Sequence, residues 1–135
     1  MNEKKQFDLL CESGAISRFR TALKELLIRS ELDEKKLHEV TLAVDEALAN
    51  VARHGYKGEA GRIQVEVADC EDRIEILIRD FGKFFDPTSI PSPELPPSKP
   101  GGLGIYFMKT VMDGVVYRRG KKNANELILV KRKQA

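Results

Sequence analysis

A chain of 135 residues, 41% hydrophobic and 33% charged, is long enough to bury one sizeable core and reads as a single globular domain over 1–135. Its 23 basic and 21 acidic residues leave a net charge of +2, which gives no electrostatic case for nucleic acid as the main partner. No apolar run approaches the roughly 18 residues of a membrane-crossing helix, and Met1–Lys5 leads into no signal-peptide core. We therefore expect no membrane span and a cytoplasmic protein, with Cys11 and Cys70 as reduced thiols.

The chain opens on Phe7, Leu9 and Leu10, an expected edge strand over Lys5–Cys11. Ser13-Gly14 marks a turn. Ile16, Phe19, Leu23, Leu26 and Leu27 then recur at helical spacing, so a first helix is expected from about Ala15 to Arg29. Asp33 is a candidate N-cap, with Glu34 suiting the helix dipole. The second helix is expected to run to about His54, with Gly55 as its stop. Lys57–Gly61 is a turn. Ile63, Val65 and Val67 alternate with polar residues as a half-buried strand. Asp69–Asp72 is a tight polar connection to an antiparallel neighbour carrying Ile74, Ile76 and Ile78 on one face. That strand delivers Asp80 at its carboxyl end.

All six prolines lie between Lys83 and Pro100, which excludes a regular helix or a central strand there. A loop of that length is expected to be a lid over a site. A third helix is expected from Ile105 to about Met112. A strand at Val115–Tyr117, a polar connection over Arg118–Asn125 and a last strand at Leu127–Lys131 follow. The fold class is α+β: a two-layer sandwich with a mixed, mostly antiparallel sheet and helices on one face.

The chemistry concentrates on the second helix. Leu37, Val40, Val44, Ala47, Leu48 and Val51 share one face. Glu46 and Asn50 stand one turn apart on another, with Arg53 and His54 one turn further. An amide oxygen on Asn50 suits Mg²⁺, which takes oxygen ligands and few of them from protein. Glu46 is placed to accept a proton. Asp80, at a strand end, is open between a plain turn aspartate and a hydrogen-bond acceptor for an exocyclic amine. Gly82 permits close approach to the backbone. Gly102, Leu103 and Gly104 open a helix, whose free amides form a natural phosphate site and whose glycines also permit a hinge. Arg53, His54 and Lys99 are candidate phosphate contacts, and His54 equally a helix-end cap.

Three motifs in register carry a resemblance. Glu46-x-x-x-Asn50 resembles the N box of the histidine-kinase-like (GHKL) ATPase superfamily, Asp80-x-Gly82 its first glycine box, and Gly102-Leu103-Gly104 its second. Phe85-Asp86-Pro87 and Gly-Leu-Gly-Ile followed by Met112-Asp113 are similar to the anti-sigma-factor serine kinases of that superfamily. The resemblance implies a Bergerat-type ATP-binding fold, with ATP and Mg²⁺ as cofactors. It implies Glu46 as general base, Asn50 as metal ligand and Asp80 on the adenine N6. It implies a kinase that binds a sigma factor, phosphorylates a serine on an antagonist protein, and forms a homodimer. A nucleotide-gated binding switch and a detached histidine-kinase-type ATPase module are the alternatives. Two positions depart from the pattern. Phe84 stands where the first box commonly has a second glycine, and the third box is not recognisable in Asn123–Glu126. The clusters Arg118–Lys122 and Lys131–Lys133 lack the interleaved aromatics of a nucleic-acid surface.

Overall fold

The computed structural model describes residues 3–84 and 103–134. Within them the order is β1 (Glu3–Leu10), α1 (Ser13–Ile28), α2 (Glu34–Asn50), β2 (Arg62–Asp69), β3 (Arg73–Asp80), α3 (Leu103–Val111), β4 (Gly114–Arg119) and β5 (Asn125–Arg132). The strands form one sheet in the order β1-β2-β3-β5-β4. Every neighbouring pair is antiparallel, so the sheet is simpler than the mixed one expected. β5 slots between β3 and β4, which brings the start of the last strand beside the end of β3. β1 takes an edge, as its place in the sequence suggests.

The core follows from alternation. Ile63, Val65 and Val67 on β2, Ile74, Ile76 and Ile78 on β3, and Leu127 and Leu129 on β5 all point to one side and are buried. Phe19, Leu23 and Leu27 of α1 and Val40, Ala43, Val44, Ala47 and Leu48 of α2 close over them. Each fully buried aliphatic side chain contributes roughly 1.5–3 kcal/mol. α3 adds Ile105 and Met108. The helix starts are chemically plain. Glu12 caps α1 through the Ala15 amide at 2.5 Å, and Asp33 caps α2 through the Lys36 amide at 2.7 Å, as expected.

Three expectations are corrected. The second helix does not run as an α-helix to His54: it ends at Asn50, and Val51–Gly55 forms a single π-helical turn. The wider turn rotates Arg53 and His54 out of register with Glu46 and Asn50. Gly55 is not the left-handed stop either; the positive φ falls at Lys57 and Gly58, at 52° and 85°. Finally, the polar connection expected over Arg118–Asn125 is shorter. Arg118 and Arg119 are in β4, Asn125 opens β5, and a 3-10 turn at Lys121–Asn123 joins them. These polar residues extend the strands because they pair across the ladder, which hydropathy alone does not register.

Candidate nucleotide site

Asp80 ends β3 directly opposite Asn125, the first residue of β5. Both are buried. Asp80 Oδ1 accepts from the Gly82 amide at 3.0 Å and from Asn125 Nδ2 at 3.0 Å. Asn125 Nδ2 also donates to the Gly82 carbonyl at 3.1 Å, and Asn125 Oδ1 accepts from the Tyr117 hydroxyl at 3.0 Å. The amide is thus held at both ends, so its orientation is fixed. One Asp80 oxygen is fully engaged, while Oδ2 accepts no hydrogen bond among the described residues. Burial pushes the Asp80 carboxyl above the ordinary aspartate value, partly offset by the Asn125 and Gly82 bonds. No cation pairs with it among the described residues.

A pocket of about 410 Å³, counting its open mouth, begins at this carboxylate. Ala47 and Val51 wall it from α2 and the π turn, Ile78 and Leu127 from the sheet. Asn50 lines the same pocket, and its Nδ2 is buried with no hydrogen-bond partner. An orphaned buried amide is costly, so this group is one that a ligand would satisfy. Rotation about the last side-chain torsion presents either end of that amide, so Asn50 fits the oxygen donor that Mg²⁺ requires. Among the described residues no cluster of three His, Cys, Asp or Glu side chains could hold a metal by itself. A single neutral amide oxygen, from Asn50, suits an ion that brings most of its oxygen ligands with it.

The segment that follows β3 is clamped. A Cβ on Gly82 would stand 2.5 Å from the Gly55 carbonyl oxygen, so the space at Gly82 is filled by the chain itself. The Lys83 amide donates to that same carbonyl at 2.8 Å. Tyr56 braces the other side: its hydroxyl accepts from the Phe81 amide at 2.8 Å and donates to the Arg62 carbonyl at 2.5 Å. Burial raises the Tyr56 phenol further, which keeps it a donor at any ordinary pH. Phe84, in the position of the absent second glycine, leaves the pocket and packs edge-on against Tyr117 at 5.6 Å. Arg119 covers its ring at 4.7 Å.

Glu46 lies one turn before Asn50, half-buried, with its carboxylate against Gly104 in the first turn of α3. The structure thus brings Glu46, Asn50, Asp80, Gly82 and Gly104 to one end of the α2–sheet interface. It does not bring Arg53 and His54 to the pocket; Arg53 is exposed on the π turn. Lys99, Gly102, the Leu103 side chain and all of the proline-rich segment beyond Phe84 lie outside the described residues. Asn125 and Tyr117 were missed by sequence reasoning. Their signal was faint: a polar residue at the start of an apolar strand, eight residues after a tyrosine.

Comparison with known proteins agrees with this geometry. The family model for the histidine kinase-like ATPase domain matches residues 11–131. A curated relative, the serine-protein kinase RsbW of Listeria monocytogenes serovar 1/2a, is 30% identical over 125 residues, covering 85% of this chain and 79% of its own. The serine-protein kinase RsbW of Bacillus cereus strain AH187 is 28% identical over 121 residues, covering 84% and 76%. Among solved structures, the RsbU and RsbW domains of Rv1364c from Mycobacterium tuberculosis match with a TM-score of 0.69 at 18% identity. That likeness of fold covers 96% of this chain and 32% of the other. No helix among the described residues is long and apolar enough to cross a membrane.

Proposed function

Because the chain belongs to the serine-protein kinases of the histidine kinase-like ATPase family, we propose that it is an ATP-dependent protein serine kinase that also acts as an anti-sigma factor. It binds a sigma factor and transfers the γ-phosphoryl of ATP to a serine of an antagonist protein. The observation that carries this reading is the pairing of a buried carboxylate with one oxygen that accepts no hydrogen bond, Asp80, and a buried amide nitrogen without a partner, Asn50 Nδ2, across one apolar pocket.

In this reading Asp80 Oδ2 accepts the adenine amine, with Oδ1 locked by Asn125. The apolar walls take the faces of the base. Asn50 is the metal ligand, and the first turn of α3 faces the phosphates with its free amides. Mg²⁺, when bound, neutralises charge on the phosphates. Glu46 takes the proton of the incoming serine hydroxyl on a carboxylate oxygen. Lys99 remains a candidate phosphate contact, and 83–100 the candidate lid. A homodimer in the cytoplasm belongs to the same reading.

The test is Glu46→Gln, which keeps the shape of the side chain but cannot take a proton. Phosphate transfer from γ-labelled ATP to an antagonist of the RsbW type should fall about 10²–10⁴-fold, with ADP affinity retained. Full activity in the variant would sink the assignment. A loss of nucleotide affinity as large as the loss of rate would favour a nucleotide-gated binding switch instead.

A further inference from the structure

We propose that Gly104 is a positioning residue for Glu46: the side chain it lacks is the space in which the carboxylate is held. A Cβ built on Gly104 would stand 1.9 Å from Glu46 Oε2, 2.6 Å from Cδ and 3.3 Å from Cγ. Non-bonded carbon and oxygen do not approach so closely, so an alanine at 104 and this placement of Glu46 exclude each other. Glycine is also a poor helix former. Its presence in the first turn of α3 needs a compensating reason, and the acid supplies one that does not depend on any bound phosphate.

The helix cannot simply step back. α3 packs chiefly on α2, with Ile105 and Met108 buried in the joint. Its far end is tied down by Lys131, whose buried ammonium donates to the Val111 carbonyl and pairs with Glu39 of α2 at 3.0 Å. With α3 fixed at its C-terminus and along its apolar face, a Cβ at its N-terminus displaces the Glu46 side chain and leaves the helix where it is. Placement of the acid and placement of the first turn of α3 are therefore one variable. The steric contact stands on geometry alone; its effect on transfer rests on the reading of Glu46 as the base.

A double-mutant cycle separates the two. Gly104→Ala is made in the full chain and again beside Glu46→Ala, and both pairs are melted without ligand. In the Glu46 background alanine should raise the melting temperature little or not at all, because displacing the end of the Glu46 side chain offsets the helix gain. In the Glu46→Ala background, with the space vacated, the same change should raise it, because alanine favours the helix. Equal shifts in both backgrounds would overturn the proposal. With γ-labelled MgATP and an antagonist of the RsbW type as probe, Gly104→Ala should slow phosphate transfer about 10²-fold, the scale of an ångström-sized misplacement. ADP affinity should stay within about threefold, and Glu46→Asp, one methylene shorter, should restore part of the rate in the alanine background. Loss of ADP affinity as large as the loss of rate would overturn the proposal by placing the effect of the substitution on nucleotide binding and not on Glu46. Thermal coupling with no turnover from the unmutated chain would uphold the contact and reject Glu46 as a base.

Discussion

Two carboxylates sit one residue apart in the same ladder, on opposite faces of the sheet. Asp80 pairs with Asn125, and the adjacent pair is Arg79 with Glu126. Both acids are buried, at 7% and 5% exposure. Glu126 faces away from the helices and is fully answered: Arg79 reaches Oε2 at 2.7 Å and Arg118 reaches Oε1 at 2.7 Å. Burial raises its proton affinity, but the two guanidiniums outweigh that and hold it below the ordinary glutamate value. Even the turn is cut to fit, since a Cβ on Gly120 would stand 2.7 Å from Glu126 Cδ. Asp80 faces the helices and receives only neutral donors, on one oxygen. The difference separates an acid whose oxygens are both answered within the fold from one that keeps an oxygen for the ligand proposed above: burial alone marks neither, and the partner set marks both.

The sharpest way to break that contrast is to neutralise each acid in turn. Asp80→Asn keeps an acceptor for Asn125 and Gly82 and removes an unpaired buried charge. Its ligand-free stability should hold or rise, while ADP affinity falls by about 1.5–3 kcal/mol, or roughly 10–150-fold. Glu126→Gln should do the opposite. Denaturant unfolding should show a loss of about 1–3 kcal/mol, moderated because Arg79 and Arg118 are 32% and 56% exposed. Its ADP affinity should stay within about twofold, a change of a few tenths of a kcal/mol. Calorimetry that found the two variants alike would erase the distinction.

A smaller effect probes the link that holds Asp80 in place. Tyr117→Phe leaves the edge-on contact with Phe84 but frees the Asn125 carbonyl. The expected cost is about 0.5–1.5 kcal/mol in stability, with ADP affinity weakened by about two- to tenfold. If Tyr117→Phe binds ADP as well as the unmutated chain does, Asn125 needs no such brace.

The two acids also show what can be read from residues in order. The helices and the inner face of the sheet were legible, because Phe19, Leu23 and Leu27, or Ile74, Ile76 and Ile78, announce a period and nothing else competes with it. Glu46-x-x-x-Asn50 and Asp80-x-Gly82 were legible because their spacing matches a known pattern. Asn125 was not. Its importance comes from standing opposite Asp80, and that register is set by β5 entering between β3 and β4, a non-local fact. Glu126 reads as a loop residue until its two arginines are placed around it. The π turn at Val51–Gly55 was hidden for another reason: Val-Ala-Arg-His continues a helical pattern, and only the Gly55–Gly82 and Tyr56–Phe81 contacts reveal what widens there.

The smallest expected effect lies in the pH dependence of stability, where the two faces should differ in sign. The folded chain holds the Asp80 proton to higher pH than the unfolded chain, whose aspartate titrates near 3.8. The stabilisation that this brings is complete below the unfolded value and is lost as pH rises through the folded one. At neutral pH the ionised Asp80 is therefore a cost to the empty fold. For Glu126 the folded value lies below the reference of 4.5. Its stabilisation is complete above that reference and is lost as pH falls through the folded value. Unfolding curves of the two variants from neutral to acid pH, without ligand, should then converge on that of the unmutated chain from opposite sides. The advantage of Asp80→Asn over the unmutated chain should shrink on acidification, and so should the deficit of Glu126→Gln. Curves that stay parallel for Asp80→Asn would mean that its carboxylate is solvated in the empty pocket. Nucleotide supplies a last discriminator. A donor on Oδ2 favours the ionised form, so ADP affinity should weaken as acid protonates Asp80, and Glu126→Gln should leave that profile unmoved. A shift of the profile in Glu126→Gln would show that charge on the outer face reaches the pocket through the ladder, and the separation of the two acids would then be incomplete.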